Sequence, residues 1–262
     1  MDLGLVGKSA LVTGGSKGIG LGAAMALANE GALVQIAARD PDTLARASEQ
    51  IADVTGRSVE THAIDLSGTG APEALLERAG DIDILVNNAG AIPAGTIGTV
   101  DEATWRSAWD LKVFGYINLS RAAFTMMSAR TSGVILNVTG LAADKPDFSY
   151  IAGTAGNASL NAFTRALGSY SLDHGVRVLA VSPGPVETDR LVTLMKSRAS
   201  AETGTDATWR DYMSGLPMGR AANVDEVADA IAFLVSERAS YISGTVLTID
   251  GGHGSRGGSF TK

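Results

Sequence analysis

The feature that most restricts what this chain can fold into is a glycine-rich turn wedged between an apolar run and a helical stretch. Residues 8–13 end in Ala-Leu-Val-Thr, the turn Thr13-Gly14-Gly15-Ser16-Lys17-Gly18-Ile19-Gly20 follows, and helical spacing begins at once over 18–30. Glycine is needed in such a turn when the backbone must bend tightly and approach a pyrophosphate at a helix N-terminus. A side chain at Gly14 or Gly20 would obstruct that approach or the helix–strand contact. A turn of this composition also occurs as a plain structural bend, and it is the strand before and the helix after that favour the nucleotide reading.

The rest of the chain repeats the same alternation. Short apolar runs at 8–13, 33–38, 59–64, 82–87, 133–139, 176–182 and 245–249 carry Val, Ile, Leu and Ala with little polar alternation, as strands covered on both faces do. Helical spacing fills about 18–30, 41–54, 71–79, 102–130, 150–173 and 224–236. The expectation is an α/β fold: a doubly wound parallel sheet of about seven strands with helices on both faces, in one domain spanning 1–262. Residues 189–218 break the alternation and are expected to cover a substrate. The Gly/Ser-rich tail from Gly251 to Lys262 is expected to be mobile, at least at its end.

Composition removes several function classes. There is no cysteine, so disulfides and thiolate chemistry are out. A net charge of −7 without a dense basic run argues against nucleic acid as partner. With no apolar run near membrane length and no basic-then-apolar leader, the expected location is cytoplasmic, with no membrane partner. His62, His174 and His253 lack paired ligand spacing, so no metal site is expected. No Gly-x-Ser-x-Gly elbow is present, which disfavours a serine hydrolase.

Taken together, Thr13 to Gly20, Asp65-Leu66 after the third apolar run, Asn87-Asn88-Ala89-Gly90 after the fourth, Tyr150, Pro183-Gly184-Pro185-Val186-Glu187-Thr188 and Asp250-Gly251-Gly252 resemble the short-chain dehydrogenase/reductase family over nearly the whole chain. The turn spacing, T-G-x-x-x-G-x-G, is wider than the G-x-G-x-x-G of ordinary dehydrogenases. The resemblance implies a Rossmann-type fold, a nicotinamide cofactor, and a homodimer or homotetramer built from the long helices. It also implies that Gly14, Ser16, Lys17, Gly18, Ile19 and Gly20 hold the pyrophosphate end and that Asp65 and Leu66 contact adenine. By the same resemblance Asn88, Ala89 and Gly90 line the ribose, and Pro183, Gly184, Val186 and Thr188, with Tyr150, cradle the nicotinamide. The second run ends Ala37-Ala38-Arg39, with Ala38 where NAD-dependent relatives place an acid. Arg39 and Lys17 suit the extra phosphate of NADP. Both cations also have a plain reading as solvated surface charges, and Asp40, next in the chain, tempers the preference. NADP is the expected cofactor, with NAD the alternative.

The catalytic pattern implied by the resemblance is altered. The family lowers the pKa of a tyrosine with a lysine one helical turn later, places a serine near the preceding strand, and has an asparagine on the preceding long helix hold a water beside that lysine. Here Tyr150 is followed one turn later by Thr154, and Gly140 stands at the serine position. Seven residues after Trp105, the asparagine position is Lys112, with Phe114-Gly115 continuing the family pattern. The expectation is that the cation has moved between helices. Lys112 would then serve Tyr150, Thr154 would bond the nicotinamide ribose or a water, and Thr139 or, more weakly, Ser149 would be a second donor to the substrate oxygen. In the competing reading Lys112 is a surface lysine and Tyr150 a buried tyrosine of a protein that binds a dinucleotide without turnover. Asn157 and Asn161 are expected to be satisfied core amides. Trp105, Trp109 and Tyr116 are expected in the core or a subunit interface. The apolar, methionine-rich residues of 189–218 point to a hydrophobic or aromatic ketone or alcohol, and serve equally as packing on the sheet. The expected activity is hydride transfer between NADP(H) and a secondary alcohol or ketone. The alternatives are dinucleotide binding without redox turnover and a lyase or epimerase reaction on the same scaffold.

Overall fold

The computed structural model describes residues 1–256. Seven strands form one parallel sheet: β1 (Ser9–Thr13), β2 (Leu33–Ala38), β3 (Glu60–Ala63), β4 (Ile84–Asn87), β5 (Gly133–Val138), β6 (Val176–Pro183) and β7 (Val246–Ile249). Their order across the sheet is β3-β2-β1-β4-β5-β6-β7. The chain direction across the sheet reverses between β1 and β4, and parallel strands bring all their C-terminal ends to one edge. That edge is where ligands of such sheets bind.

The central strands β1, β4, β5 and β6 are buried on both faces, as expected, whereas the edge strands β3 and β7 are largely exposed. Ala10, Val12, Ile84, Val86, Val134 and Leu136 join one core with α1 (Gly18–Asn29), α2 (Pro41–Thr55) and α8 (Val224–Val235). Their neighbours Leu11, Leu85 and Ile135 enter the opposite core with α3 (Ala71–Ala79) and α5 (Gly115–Ala129). Strand side chains alternate faces, so each residue feeds the core opposite its neighbour's. Arg177 of β6 is buried and donates from its guanidinium to the carbonyls of Leu234, Val235 and Ser236 at 2.6, 3.0 and 2.9 Å. It thereby satisfies the carbonyls left open at the end of α8.

The stretch expected as one helix over 102–130 has an internal irregularity. It runs as α4 (Glu102–Trp109), a single wide π turn at Asp110–Phe114, then α5. Such turns widen a helix by one residue and recur at functional sites; this one contains Lys112. The stretch expected over 150–173 is helical as α6 (Ile151–Gly168), then a 3₁₀ turn at Ser171–His174. Residues 189–218 hold α7 (Asp189–Thr203) and two 3₁₀ turns. Within them Trp209 and Met213 are buried, while Leu194 and Met218 are exposed. The expectation of a mobile tail needs correction for Gly251–Arg256. Asp250 accepts from the Gly252 and Gly254 amides, and Arg256 donates to Gly215 O at 3.2 Å, so this part is folded. Residues 257–262 lie outside the described residues. No helix among the described residues is long and apolar enough to cross a membrane.

Candidate active site

The glycine turn leaves β1 with Gly14 at φ +64° and Gly18 at φ +53°, conformations that L side chains rarely adopt. A Cβ on Gly14 would stand 2.9 Å from Ala89 Cα, and Gly20 packs on the Gly14 carbonyl with no room for one. Thr13 Oγ1 receives the amides of Asn88 and Ala89 at 2.9 and 3.1 Å. Asn88 Nδ2 donates to the carbonyls of Thr13 and Gly14 at 3.1 and 3.2 Å. The Asn88 side chain therefore braces the turn, and only its backbone and neighbours remain for a ligand. No side chain caps α1, so its first amides point freely from the turn. A backbone stripped of Cβ atoms in front of uncapped amides fits a pyrophosphate.

Around this cradle, Ser16, Lys17 and Gly18 share a groove of about 460 Å³ with Thr43, Arg46 and Thr188. Arg46 was not legible as a site residue, since a lone arginine on α2 reads as a solvated charge. Ile19 follows Gly18 into α1. Arg39 is exposed at the end of β2. Asp40 accepts from the Asp42 and Thr43 amides at 2.9 and 3.1 Å, so its charge is committed to the N-terminus of α2. Asp65 is held below the usual carboxylate range, chiefly by the Ser67 amide and also by the Ser67 hydroxyl and Arg39. Leu66 and Val186 are buried beside the cleft edge. Pro183 ends β6, Gly184 N donates to Ile249 O at 2.9 Å, and the Thr188 hydroxyl caps α7. Thr188 also faces Gly18, so the two sides of the cleft meet there.

Tyr150 stands just before α6, not on it, with φ −136° and ψ 41°. A backbone bridge to Gly95 fixes it: Gly95 N donates to Ser149 O at 2.6 Å and Ile151 N to Gly95 O at 3.2 Å. From this position the ring folds forward over Gly153. A Cβ at Gly153 would press into the ring face, against Cζ and Cε1 and 2.6 Å from Cε2. The ring packs against the cluster of Ile92, Val100, Ala108 and Ala152. Burial raises the pKa of the phenol, and the nearby Arg190 charge partly opposes this.

Lys112 emerges from the π turn and lays its stem on Gly90, where a Cβ would meet Lys112 Cδ at 2.7 Å. Its ammonium donates to Thr139 O at 3.4 Å and lies 5.8 Å from the centre of the Tyr116 ring. Burial, with a smaller contribution from Arg190, lowers the Lys112 pKa to about 8. Lys112 thus loses its proton before the Tyr150 phenol does.

Several expectations are corrected at this site. Thr154 Oγ1 accepts from Asp147 N at 3.2 Å and donates to Asp147 O at 3.4 Å, so it is turned toward the incoming loop. With Tyr150 outside the helix, the α6 pair one turn apart that faces the end of β5 is Gly153 and Asn157. A Cβ on Gly140 would lie 3.1 Å from Asn157 Nδ2. Thr139 cannot serve as second donor, because its hydroxyl and amide both donate to Val181 O, at 3.1 and 2.9 Å. Ser149 donates to Asp147 at 2.6 Å. Asn157 and Asn161 are not satisfied core amides: Asn157 Oδ1 and both polar atoms of Asn161 are buried without a protein partner. Tyr116 is buried, as expected, and Trp109 donates to Ala152 O at 3.1 Å.

Arg190 was missed altogether. It is exposed on α7 and donates to Ile92 O at 2.9 Å, spanning from the 189–218 segment to the opposite side of the cleft. Its only trace in the sequence is its place two residues past Thr188.

Comparisons with known proteins agree with this architecture. The family model described as enoyl-(acyl carrier protein) reductase matches residues 14–254. The chain is 32% identical to 2,3-dihydro-2,3-dihydroxybenzoate dehydrogenase of Bacillus subtilis, covering 95% of this chain and 97% of that protein. It is 36% identical to cis-4-hydroxycyclohexanecarboxylate dehydrogenase of Sinomonas cyclohexanicum, covering 93% and 95%. The crystal structure of L-sorbose reductase from Gluconobacter frateurii, complexed with NADPH and L-sorbose, superposes with a TM-score of 0.89 at 31% identity, covering 96% and 98%. The chain belongs to the short-chain dehydrogenase/reductase family of oxidoreductases.

Proposed function

We propose that this protein interconverts a secondary alcohol and a ketone with NADP(H), using Tyr150 as the proton-transferring group. The observation that carries the reading is the Tyr150 ring folded over Gly153, at the same sheet edge as the dinucleotide cradle. NADP(H), when bound, supplies or accepts the hydride at the carbon. In reduction the Tyr150 hydroxyl gives its proton to the carbonyl oxygen, and the phenol is then restored from solvent. The phenol is protonated at neutral pH; burial raises its pKa and makes it a weaker acid, so proton transfer relies on the cationic charge beside it. Below pH 8 the Lys112 ammonium and the Arg190 guanidinium favour negative charge developing at that oxygen.

In this reading Lys112, held on Thr139 O near the end of β5, is a relocated cation in a tetrad that lacks the usual serine and lysine. Asn157, one turn beyond Gly153 and facing Gly140, takes the place the helix offers beside it. Support for NADP over NAD comes from Arg39 and Lys17, from Ala38 in place of an acid, and from Asp40 being committed to its helix cap. The similar L-sorbose reductase is itself complexed with NADPH. The relatives named above act on rings bearing carboxylates and on a sugar, so their names do not choose among substrates. The 189–218 segment, with Leu194 and Met218 exposed, serves as an apolar lid. Assembly as a homodimer or homotetramer in the cytoplasm completes the reading.

The test is NADPH consumption with a panel of apolar ketones, with and without a carboxylate, wild type beside Y150F, with NADPH affinity measured separately. Turnover lost in Y150F at unchanged affinity supports the reading. One observation favours binding without turnover: neither Thr154 nor Thr139 presents a hydroxyl to the cleft. NADPH binding with no consumption across the panel decides for that alternative.

A further inference from the structure

The two cations of the cleft rest on one short loop. Lys112 lays its stem along Gly90, and Arg190 reaches across from α7 to the carbonyl of Ile92 at 2.9 Å. Among the described residues neither pairs with a carboxylate. The ion pairs among the described residues occupy cations elsewhere, such as Arg121 and Arg220, and include neither of these two. Asp110 and Asp189, their near neighbours in sequence, are exposed and pair with neither. In a chain of net charge −7, a cleft with two cations and no counter-ion among the described residues is a local reversal of the overall field. The wall beside them is apolar, formed by Ile92, Val100 and Trp109 around Tyr150.

We propose that the substrate of this site carries a free carboxylate, received by the Arg190 guanidinium at the cleft mouth while the reacting carbon faces Tyr150. The assignment rests on the oxidoreductase reading above and adds to it a substrate class and a specificity-determining residue. Arginine is the group for this task. Its planar fork matches a carboxylate with two parallel hydrogen bonds, and a single hydrogen bond among the described residues leaves its other N–H groups open. Lys112 lies deeper, on Thr139 O, and is the cation nearer the end of β5. Repulsion between the two cations contributes to the lowered Lys112 pKa, and an anion bound between them would relieve it. The alternative anion is a cofactor phosphate. The uncapped amides of α1 and Lys17 already provide for one at the glycine turn.

The test uses 2-oxo-4-phenylbutanoate and 4-oxo-4-phenylbutanoate, each beside its methyl ester, with wild type, R190L and R190K. The expected result is a preference of about 30-fold or more in kcat/KM for at least one acid over its ester, the size of a charge-assisted hydrogen-bonded pair. That ratio falls to near one in R190L and is partly kept in R190K. The ratio cancels any effect of the substitution shared by both substrates. Binding of 4-phenylbutanoate against 4-phenylbutanamide to the NADPH-loaded protein, by calorimetry, reads carboxylate recognition without turnover. A carboxylate preference lost in R190L, with no oxidation of NADPH on any ketone, keeps this inference and sinks the redox reading. Equal handling of acid and ester, or of carboxylate and amide, overturns the inference. So does a tenfold loss of NADPH affinity in R190L with the acid preference intact, which would assign the arginine to a phosphate.

Discussion

Replacing Gly153 by alanine adds one methyl group at the place where the Tyr150 ring lies. The new Cβ would stand 2.6 Å from Cε2 and closer still to Cε1 and Cζ. Ordinary carbon–carbon contact begins at about 3.5 Å, so the ring must retreat by roughly 1 Å at Cε2 and more at its phenolic end. The helix itself gains, because alanine is better than glycine in a helix interior by about 1 kcal/mol. Partial exposure of the displaced ring costs about 1–2 kcal/mol, so the two effects nearly cancel in stability. Catalysis has no such compensation. A misplacement of about 1 Å in a reacting group costs on the order of 100-fold in rate. G153A is therefore expected to melt within a few degrees of wild type, to bind NADPH normally, and to lose about 100-fold in kcat/KM. The comparison that decides is the double mutant: if Gly153 acts by housing the Tyr150 ring, G153A/Y150F is no slower than Y150F alone. A G153A enzyme with wild-type kcat, alongside an inactive Y150F, would refute the argument that the ring position matters. Additive losses in the double mutant would show that Gly153 acts by another route.

The depression of the Lys112 pKa from 10.5 to about 8 sets a penalty on the order of 3 kcal/mol for keeping this ammonium in the fold at neutral pH. Because the folded state releases this proton more readily than the unfolded one, the penalty is full below pH 8 and fades as pH rises toward 10.5. K112M should gain up to about that amount in urea unfolding at pH 6.5 and little at pH 10; a uniform loss would contradict it. Wild-type reductive kcat/KM should also fall as pH passes about 8, and K112M should lack that limb. R177M leaves the carbonyls of Leu234, Val235 and Ser236 without their buried donor, and should cost about 2–4 kcal/mol, a drop of roughly 5–10 °C in Tm by calorimetry. R39D should weaken NADPH binding by about tenfold or more, with little effect on NADH, as read by fluorescence titration; equal loss of both would remove Arg39 from the 2′-phosphate.

The parallel sheet was legible because β1, β4, β5 and β6 are buried on both faces and therefore read as unbroken apolar runs. The glycine turn was legible because Gly14, Gly18 and Gly20 answer to backbone conformation and space that no other residue supplies. The site was harder for physical reasons that can be named. Sequence spacing puts Tyr150 and Thr154 on one helix face, but the bridge to Gly95 holds Tyr150 in non-helical backbone and moves the site-facing pair to Gly153 and Asn157. A glycine three residues after the tyrosine was the only signal, and it reads equally as a helix-weakening accident. Thr139 follows β5, and its hydroxyl is claimed by Val181, a partner supplied by β6. The π turn leaves no periodic trace, since Lys112 reads as an ordinary helical lysine. Arg190 comes from a segment whose fold no alternation pattern announces.

That wide turn at Asp110–Phe114 makes the long helix a phase adapter. An extra residue advances the face presented downstream by about 100° relative to an unbroken α-helix. Upstream, Trp109 is tied to Ala152 of α6; downstream, Tyr116 is tied to Val138 of β5 at 3.1 Å. Deleting one residue between them would give a more regular rod whose two ends no longer fit their seats at the same time. The amine that the cleft depends on emerges from the one stretch where this conflict is resolved.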